Sequence, residues 1–291
     1  MPEINSTPPI TLEWLVDKTA TVYSLPLSYE KLVEAINHPR SSIADIAKVI
    51  TEDQGLTVRL LKLANSPMFG FFSKIDSVSK AVTIIGIQQL RDLALAVSVM
   101  EIFSGIPKEL ISMKSFWQHS LGCGIIARAL AIYRRETNVE RFFAAGILHD
   151  LGRLVMCTTV PDIMREVFEA GKKEEMLLFR IEDQRLGFTH AEVGAGVLAK
   201  WKIPLSIIEP VSCHHSPGGA SQYPLETAII HLSNIICNAL EVGFSGEWYV
   251  PPINPAAWEK LDIPSATISS IFRQVRPQIE EAFAIFGESA G

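Results

Sequence analysis

Apolar residues recur at three- and four-residue spacing along almost the whole chain, and this periodicity restricts the possible folds more than any other feature. Such spacing puts apolar side chains on one face of a helix, whereas short strand patterns bounded by glycine or proline are scarce. In the segment 87–103, for example, Leu90, Leu93, Val97 and Met100 form one apolar stripe. The pattern predicts an all-α protein in which this stripe packs against a core.

Start and stop signals predict several helix ends in the first third of the chain. Ser42 is expected to cap a helix that runs through Ile50, and Gly55 precedes a helical run that ends at Ala64. Gly86 is expected to close a short helix over 79–85.

Glycine and proline in the segment 104–107 interrupt the helical pattern and mark a plausible internal boundary. A chain of 291 residues could form one large domain or two smaller ones. We therefore predict an amino-terminal helical subdomain over 1–112 and a second one over 113–291.

The second subdomain is predicted to be a series of helices. Thr189 and Glu192 have the spacing of a capping box, which places His190 in the first turn of a helix, at an exposed entrance. The tail after Glu247 reads as a wrapping loop followed by one closing helix. The predicted helices cover 113–135, 140–157, 161–171, 175–186, 190–201, 204–215, 225–242 and 264–284.

Charge is spread evenly, which argues against nucleic acid as the main partner. The net charge is −6, and residues 1–112 carry 10 basic and 12 acidic side chains against 16 and 20 in the remainder. Nucleic-acid binding needs clustered lysine and arginine. The helices on either side of Gly86 superficially resemble a helix-turn-helix, but Arg91 is the only cation of the second one, so packing explains the pair better.

The cysteines and the amino terminus favour a cytoplasmic protein. The chain has no Cys-x-x-Cys pair, and its first residues lack the charged and apolar regions of a signal peptide. The most apolar run, 93–100, is far shorter than the roughly twenty residues needed to cross a bilayer. We expect no membrane contact, and free thiols at Cys123, Cys157, Cys213 and Cys237.

A histidine and an aspartate stand side by side at His149-Asp150, in an apolar and helix-like segment. An imidazole nitrogen and a carboxylate oxygen can bind one transition metal ion together. Four more histidines lie on either side of this pair. These are His119, His190, His214 and His215. The steps from His119 to His149, from His149 to His190 and from His190 to the adjacent pair His214-His215 are 30, 41 and 24 residues, roughly one helix hairpin each.

Two interpretations of these histidines remain open. Each one alone is most simply a core or surface imidazole satisfied by one hydrogen bond. Together with Asp150 they are the set that a site for one or two divalent ions in a helical bundle requires, with Fe, Mn or Zn as the candidates.

The order of these residues resembles the HD superfamily of metal-dependent phosphohydrolases, and the amino-terminal part narrows the resemblance to its HDOD family. The segment 50–95 resembles the HDOD signature, with Leu63-Ala64-Asn65-Ser66, then a helix, then Ile84-Ile85-Gly86 and Leu90 in the same order. Leu25-Pro26-Leu27 is similar to the proline-bearing entrance of that family.

The resemblance is most diagnostic over about 25–215. It implies an HD-like helical bundle with an amino-terminal helical subdomain, used in bacterial signalling as a regulatory or output module. The chain departs from the family at Gln54, where proline usually follows the aspartate, and we expect this to affect only a loop.

Other departures bear on activity. The related HD-GYP phosphodiesterases carry two acids and a glycine at the positions that Ser216, Gly219 and Gln222 occupy here. HD enzymes usually place an aspartate where Asn234 stands, and HD-GYP proteins have a lysine where Arg153 stands. A neutral amide binds a cation more weakly than a carboxylate, while arginine keeps the positive charge with a different geometry.

The resemblance implies a regulatory output protein that binds metal without robust catalysis, with signalling proteins or a small phosphorylated ligand as its partners. The alternative is a metal-dependent phosphohydrolase or phosphodiesterase acting on a nucleotide or a cyclic dinucleotide. In that case Asp150 and Arg153 are the expected catalytic residues, with Asp150 on the metal and Arg153 steadying the developing charge.

Overall fold

The computed structural model describes residues 10–71, 73–103 and 110–287, and this part of the chain contains helices and no strand. The all-α prediction is confirmed. A short 3₁₀ turn covers Pro217–Gly219, and the α-helices are α1 (Leu12–Val22), α2 (Leu27–Asn37), α3 (Ile43–Thr51), α4 (Gln54–Ala64), α5 (Val78–Ile85), α6 (Ile87–Ile102), α7 (Met113–Tyr133), α8 (Glu140–Leu148), α9 (Leu151–Thr159), α10 (Pro161–Glu174), α11 (Leu178–Leu186), α12 (His190–Lys200), α13 (Leu205–Cys213), α14 (Pro224–Ala239), α15 (Pro255–Leu261) and α16 (Ser265–Gly287).

The predicted caps in the first third are present. Ser42 precedes α3, where its side chain accepts a hydrogen bond from Asp45 N and the Asp45 carboxylate accepts one from Ser42 N at 2.8 Å. Gly86 separates α5 from α6 with a φ of +102°, a value that glycine adopts without a steric penalty. The start of α3 and the end of α5 are therefore set by these local residues, as the sequence predicts.

Two predicted helices differ from the structure. The helix expected over 140–157 is two helices, because α8 ends at Leu148 and the chain turns through His149 and Asp150 before α9 begins. The single closing helix expected after Glu247 is preceded by α15, which starts where the Asn254 side chain accepts hydrogen bonds from two backbone N–H groups of its first turn. Asparagine followed by proline is a helix-start signal that the sequence reading missed.

Helices α6 and α7 lie in the middle of the core. Helix α7 packs against α8, α14 and α16, and α6 packs against α8. Residues 92–99 of α6 are all buried, so α6 has no free face for a DNA groove. This agrees with a packing role for the α5 and α6 pair.

Among the described residues, no single helix has the length and apolar character to cross a membrane. Helices α5 and α6 meet those criteria only when taken together, and they are bent by 118°.

Polar contacts join the first third of the chain to the rest. Asn138 Nδ2 donates to Asp92 Oδ2 at 3.1 Å, and Arg128 Nη1 donates to the carbonyl of Met68 at 2.8 Å. Helix α1 packs against α9 and α12. The boundary predicted at 104–107 lies outside the described residues, and the division into 1–112 and 113–291 stays a prediction.

Candidate metal centre

The structure brings all six predicted metal ligands together. His119 lies within α7, His149-Asp150 forms the turn between α8 and α9, and His190 is the first residue of α12. His214 and His215 follow the end of α13. His215 is half-buried, whereas the other five are at most 1% exposed.

The burial of His190 corrects one prediction. The capping box of Thr189 and Glu192 is present, but the imidazole does not lie at an exposed entrance, because its exposed fraction is 0%. Helix α9 lies against the start of α12, and Gly152 makes the close approach possible, since a Cβ there would lie 1.9 Å from the His190 carbonyl oxygen. The capping box predicts where α12 starts but not what packs over it.

Asp150 is common to two sets of candidate ligand atoms. In each set the ligand atoms lie within 4.8 Å of one another. One set contains Asp150, His190, His214 and His215, and the other contains His119, His149 and Asp150. The described residues could therefore hold an ion on either side of the Asp150 carboxylate.

Two imidazoles are oriented as metal ligands usually are. Nδ1 of His149 donates to the carbonyl of Gly146 at 2.7 Å, and Nδ1 of His214 donates to the carbonyl of Val211 at 2.7 Å. Each Nε2 is buried without a hydrogen-bond partner. Metal-bound histidines commonly bond a backbone carbonyl or a carboxylate through the second nitrogen, so this arrangement fits a metal ion. Buried polar atoms without partners are otherwise costly.

Glu182 on α11 holds the third imidazole. Its carboxylate lies 2.6 Å from His190 Nδ1 and accepts the His190 backbone N–H at 2.9 Å. His190 Nε2 lies 3.0 Å from Asp150 Oδ1 and 3.1 Å from His215 Nε2. Burial by itself lowers the pKa of His190, but the Glu182 and Asp150 carboxylates outweigh it and raise that pKa.

The sequence reading missed Glu182. It is fully buried, yet it belongs to a polar run with Asp183, and nothing in the local pattern separates the two acids. Only the packing of α11 against α12 brings Glu182 to His190.

Arg153 lies inside the centre and is 1% exposed. Its Nη1 donates to Asp150 Oδ2 at 3.0 Å and to the carbonyl and hydroxyl oxygens of Ser245 at 3.1 and 2.9 Å. Nη2 lies 3.1 Å from His190 Nε2. Burial by itself raises the pKa of Asp150, but Arg153 and then His149 outweigh it and hold the pKa well below its usual value. The carboxylate is therefore ionised and available to a cation.

Asn234 contacts His119. The Asn234 Oδ1 lies 3.1 Å from His119 Nε2 and also accepts a hydrogen bond from Asn238 Nδ2 at 2.7 Å. Burial, followed by the neighbouring His149, lowers the pKa of His119 to about 4. A neutral His119 satisfies the amide oxygen only when Nε2 carries the proton, and that nitrogen is then not free for a metal ion.

An open cleft lies beside His215, with a volume of about 550 Å³. The His215 ring stacks on Phe179 with centroids 4.4 Å apart and planes 13° apart. The cleft is lined mostly by polar groups, among them Arg180, Asp183, Thr189 and Ser212. His215 is thus the one ligand candidate that faces both the centre and the cleft.

The fold and the site define an all-helical protein with a buried centre of histidines and one aspartate that could bind metal. The chain belongs to the HDOD family, since the HDOD domain family matches residues 22–217. A curated relative, an uncharacterized protein of Treponema pallidum (strain Nichols), is 24% identical over 229 residues. The match covers 78% of this chain but 44% of that protein, so the chain spans less than half the length of its relative.

Three solved structures share the fold. An HDOD domain protein of unknown function from Geobacter sulfurreducens has a TM-score of 0.75 at 22% identity, with 96% of this chain and 97% of that one covered. A "Putative phosphohydrolase" from Shewanella amazonensis SB2B has a TM-score of 0.66 at 21% identity, with 95% of both chains covered. A "Putative signal transduction protein" from Marinobacter aquaeolei VT8 has a TM-score of 0.73 at 17% identity, with 94% and 60% covered. At these identities the similarity establishes the fold alone.

Proposed function

We propose that this chain is a regulatory output protein of bacterial signal transduction whose buried centre binds one divalent transition metal ion, with little or no hydrolytic turnover. The observation that carries the proposal is the buried, unpartnered Nε2 of His214, which lies 3.7 Å from the ionised Asp150 carboxylate. A bound cation satisfies both groups at once.

The donor set indicates the kind of ion. Imidazole and carboxylate ligands suit Fe, Mn and Zn. Asp150, His190, His214 and His215 form the larger set, and four ligands complete a tetrahedral Zn site. The metal would be held by these residues, and the Glu182 carboxylate would fix the orientation of the His190 ring through its hydrogen bond to Nδ1.

Charge balance favours one ion over two. Asp150 is the only carboxylate among the candidate ligands, and Arg153 already places a positive charge beside it. A second divalent ion would bury positive charge with no added carboxylate to balance it, which costs several kcal/mol or more. His119, which would serve the second ion, is also paired with Asn234.

The position of Arg153 favours regulation over catalysis. A residue that steadies the charge of a phosphoryl group must point at the substrate, but the Nη donors of Arg153 point at Asp150, Ser245 and His190. The Marinobacter relative is named a "Putative signal transduction protein", and this name supports the proposal of a regulatory role. The partners we propose are signalling proteins or a small phosphorylated ligand, without nucleic acid or membrane.

The cleft beside His215 favours a second candidate function, a metal-dependent phosphohydrolase or phosphodiesterase acting on a nucleotide or a cyclic dinucleotide. The cleft is large enough for part of such a substrate, and the Shewanella relative is named for this class of reaction. A bound divalent ion lowers the pKa of its water to about 7 and polarises a phosphoryl oxygen. Asp150 would hold that ion, and Arg153 would keep the carboxylate ionised.

Elemental analysis of the purified protein, followed by hydrolysis assays, separates the two functions. We expect about one equivalent of Fe, Mn or Zn per chain, lost in His214→Ala and kept in His38→Ala, which changes an exposed histidine. Turnover of cyclic dinucleotides, nucleotides and a generic phosphodiester should stay near background. Robust turnover that disappears in His214→Ala would establish the enzyme instead, and a wild-type protein that takes up no metal would refute both.

A further inference from the structure

His231 on α14 is a buried imidazole outside the ligand sets, and both of its nitrogens are engaged. Nδ1 lies 2.7 Å from the carbonyl oxygen of His214, and Nε2 lies 3.0 Å from the backbone nitrogen of Asn254. A carbonyl can only accept and a backbone N–H can only donate. His231 is therefore neutral, with its proton on Nδ1.

The two partners of His231 belong to different parts of the molecule. His214 lies in the turn after α13, and its own ring is tied to the carbonyl of Val211. Asn254 caps α15, which packs against α14. One imidazole thus joins the turn that carries His214 and His215 to the segment before α15.

The segment before α15 also contacts the metal centre directly. Ser245, near its start, accepts two hydrogen bonds from Arg153, the partner of Asp150. The chain between Ser245 and Asn254 is therefore bonded to Arg153 at one end and to His231 at the other. It carries Trp248, Val250 and Ile253, each between 46% and 50% exposed.

We propose that His231 is a positioning residue that holds the His214 main chain so that His214 and His215 meet Asp150 at metal-binding distance. The proposal rests on the metal binding proposed above. Ligand–metal distances in metal sites fall within about 0.2 Å of the value typical of each ligand, so the ligands must be held in place. A metal-binding histidine usually has its second ring nitrogen bonded to a neighbouring group. For His214 that group is the Val211 carbonyl, whereas His231 bonds the main-chain carbonyl of His214.

Two substitutions remove one bond each. The amide nitrogen of His231→Asn takes the place of Nδ1 and keeps a donor for His214, with nothing at the place of Nε2. The amide oxygen of His231→Gln takes the place of Nε2 and keeps an acceptor for Asn254, with no donor for His214. Both variants lose the same buried ring, so a merely structural role affects them equally.

The test is titration of metal-stripped protein with Zn²⁺ against a chromophoric chelator, with hydrogen exchange of the 254 region as the second readout. We expect His231→Gln to weaken Zn²⁺ binding by roughly 10- to 100-fold, the usual effect of losing an outer partner. His231→Asn should stay within a few fold of wild type while the Asn254 amide exchanges faster. The Co²⁺ absorption spectrum should change only in His231→Gln.

Equal Zn²⁺ affinities in the two variants overturn the positioning role, while metal uptake by the wild type leaves the proposed function standing. A wild type that binds no Zn²⁺ refutes the proposed function, and the positioning role with it. Proton–nitrogen correlation spectra of the wild-type protein provide a check that needs no variant. They should show His231 protonated on Nδ1, and protonation on Nε2 would contradict the proposal.

Discussion

Replacing Gly152 by alanine tests how closely two helices must approach to build the centre. A Cβ at this position would lie 1.9 Å from the carbonyl oxygen of His190 and 2.5 Å from the backbone nitrogen of Gly194. Both neighbours are main-chain atoms of α12, which cannot rotate away as a flexible side chain would. Helix α9 must therefore move as a body, by about 1.5 Å, to lengthen the 1.9 Å separation to an ordinary 3.4 Å contact.

The energetic consequence follows from two opposing effects. Alanine is favoured over glycine inside a helix by about 0.8–1 kcal/mol. Overpacking a tight core costs about 1–3 kcal/mol, and a backbone clash lies at or above the upper end of that range. The net loss is about 2 kcal/mol, which lowers the melting temperature by roughly 4–8 °C. The same movement carries Asp150 away from His190, whose contact is now 3.0 Å, and weakens metal binding.

Thermal unfolding of metal-stripped protein, followed by circular dichroism, measures the effect. Gly218→Ala is the matched control, since a Cβ there meets no atom within 4 Å. We expect the melting temperature of Gly152→Ala to fall and that of Gly218→Ala to stay within about 2 °C of wild type. If Gly152→Ala melts at or above the wild-type temperature, the contact between α9 and α12 is not as close as the structure shows.

Three further predictions follow from the same contacts. Arg153→Met leaves the buried Asp150 without its partner and should destabilise metal-stripped protein by about 3–5 kcal/mol. Bound metal should reduce this loss of stability, because the cation then pairs with Asp150. Equal losses with and without metal in chemical denaturation would contradict the proposed charge balance. Cys213 alone should react with a thiol reagent in native protein, because it is half-buried whereas the other three cysteines are fully buried and closed to the reagent. More than one label before unfolding, counted by mass spectrometry, would argue against this. Glu209→Gln should lower the free energy of unfolding by about 1–3 kcal/mol, because the Glu209 carboxylate accepts hydrogen bonds from the backbone N–H groups of residues 221–223. An unchanged denaturation midpoint would disprove this role of the carboxylate.

Features governed by neighbouring residues were predictable from the sequence. Apolar spacing predicts the all-α fold, and capping chemistry predicts the start of α3 at Ser42 and of α12 at Thr189. These features depend on hydrogen bonds three residues apart and on a helical period, both of which can be read along the chain. The ligand candidates were also recognisable, because few residue types bind transition metals and their order resembles the HDOD family.

The environment of those candidates was not predictable in this way. Ser245 meets Arg153 from 92 residues away, and Asn234, which only the family resemblance indicates, meets His119 from 115 residues away. No local pattern records such contacts, because they arise only when α7, α9 and α14 pack together. Packing also buries His190, against the expectation from its capping box.

The sequence by itself thus determined the all-α fold, the family and the residues that could bind metal. The tertiary structure decided which nitrogens are left without partners, and that Arg153 points at Asp150. It also decided that His231 supports His214. The physical reason is range: periodicity and capping act within a few residues, whereas the geometry of a buried centre depends on how distant helices pack.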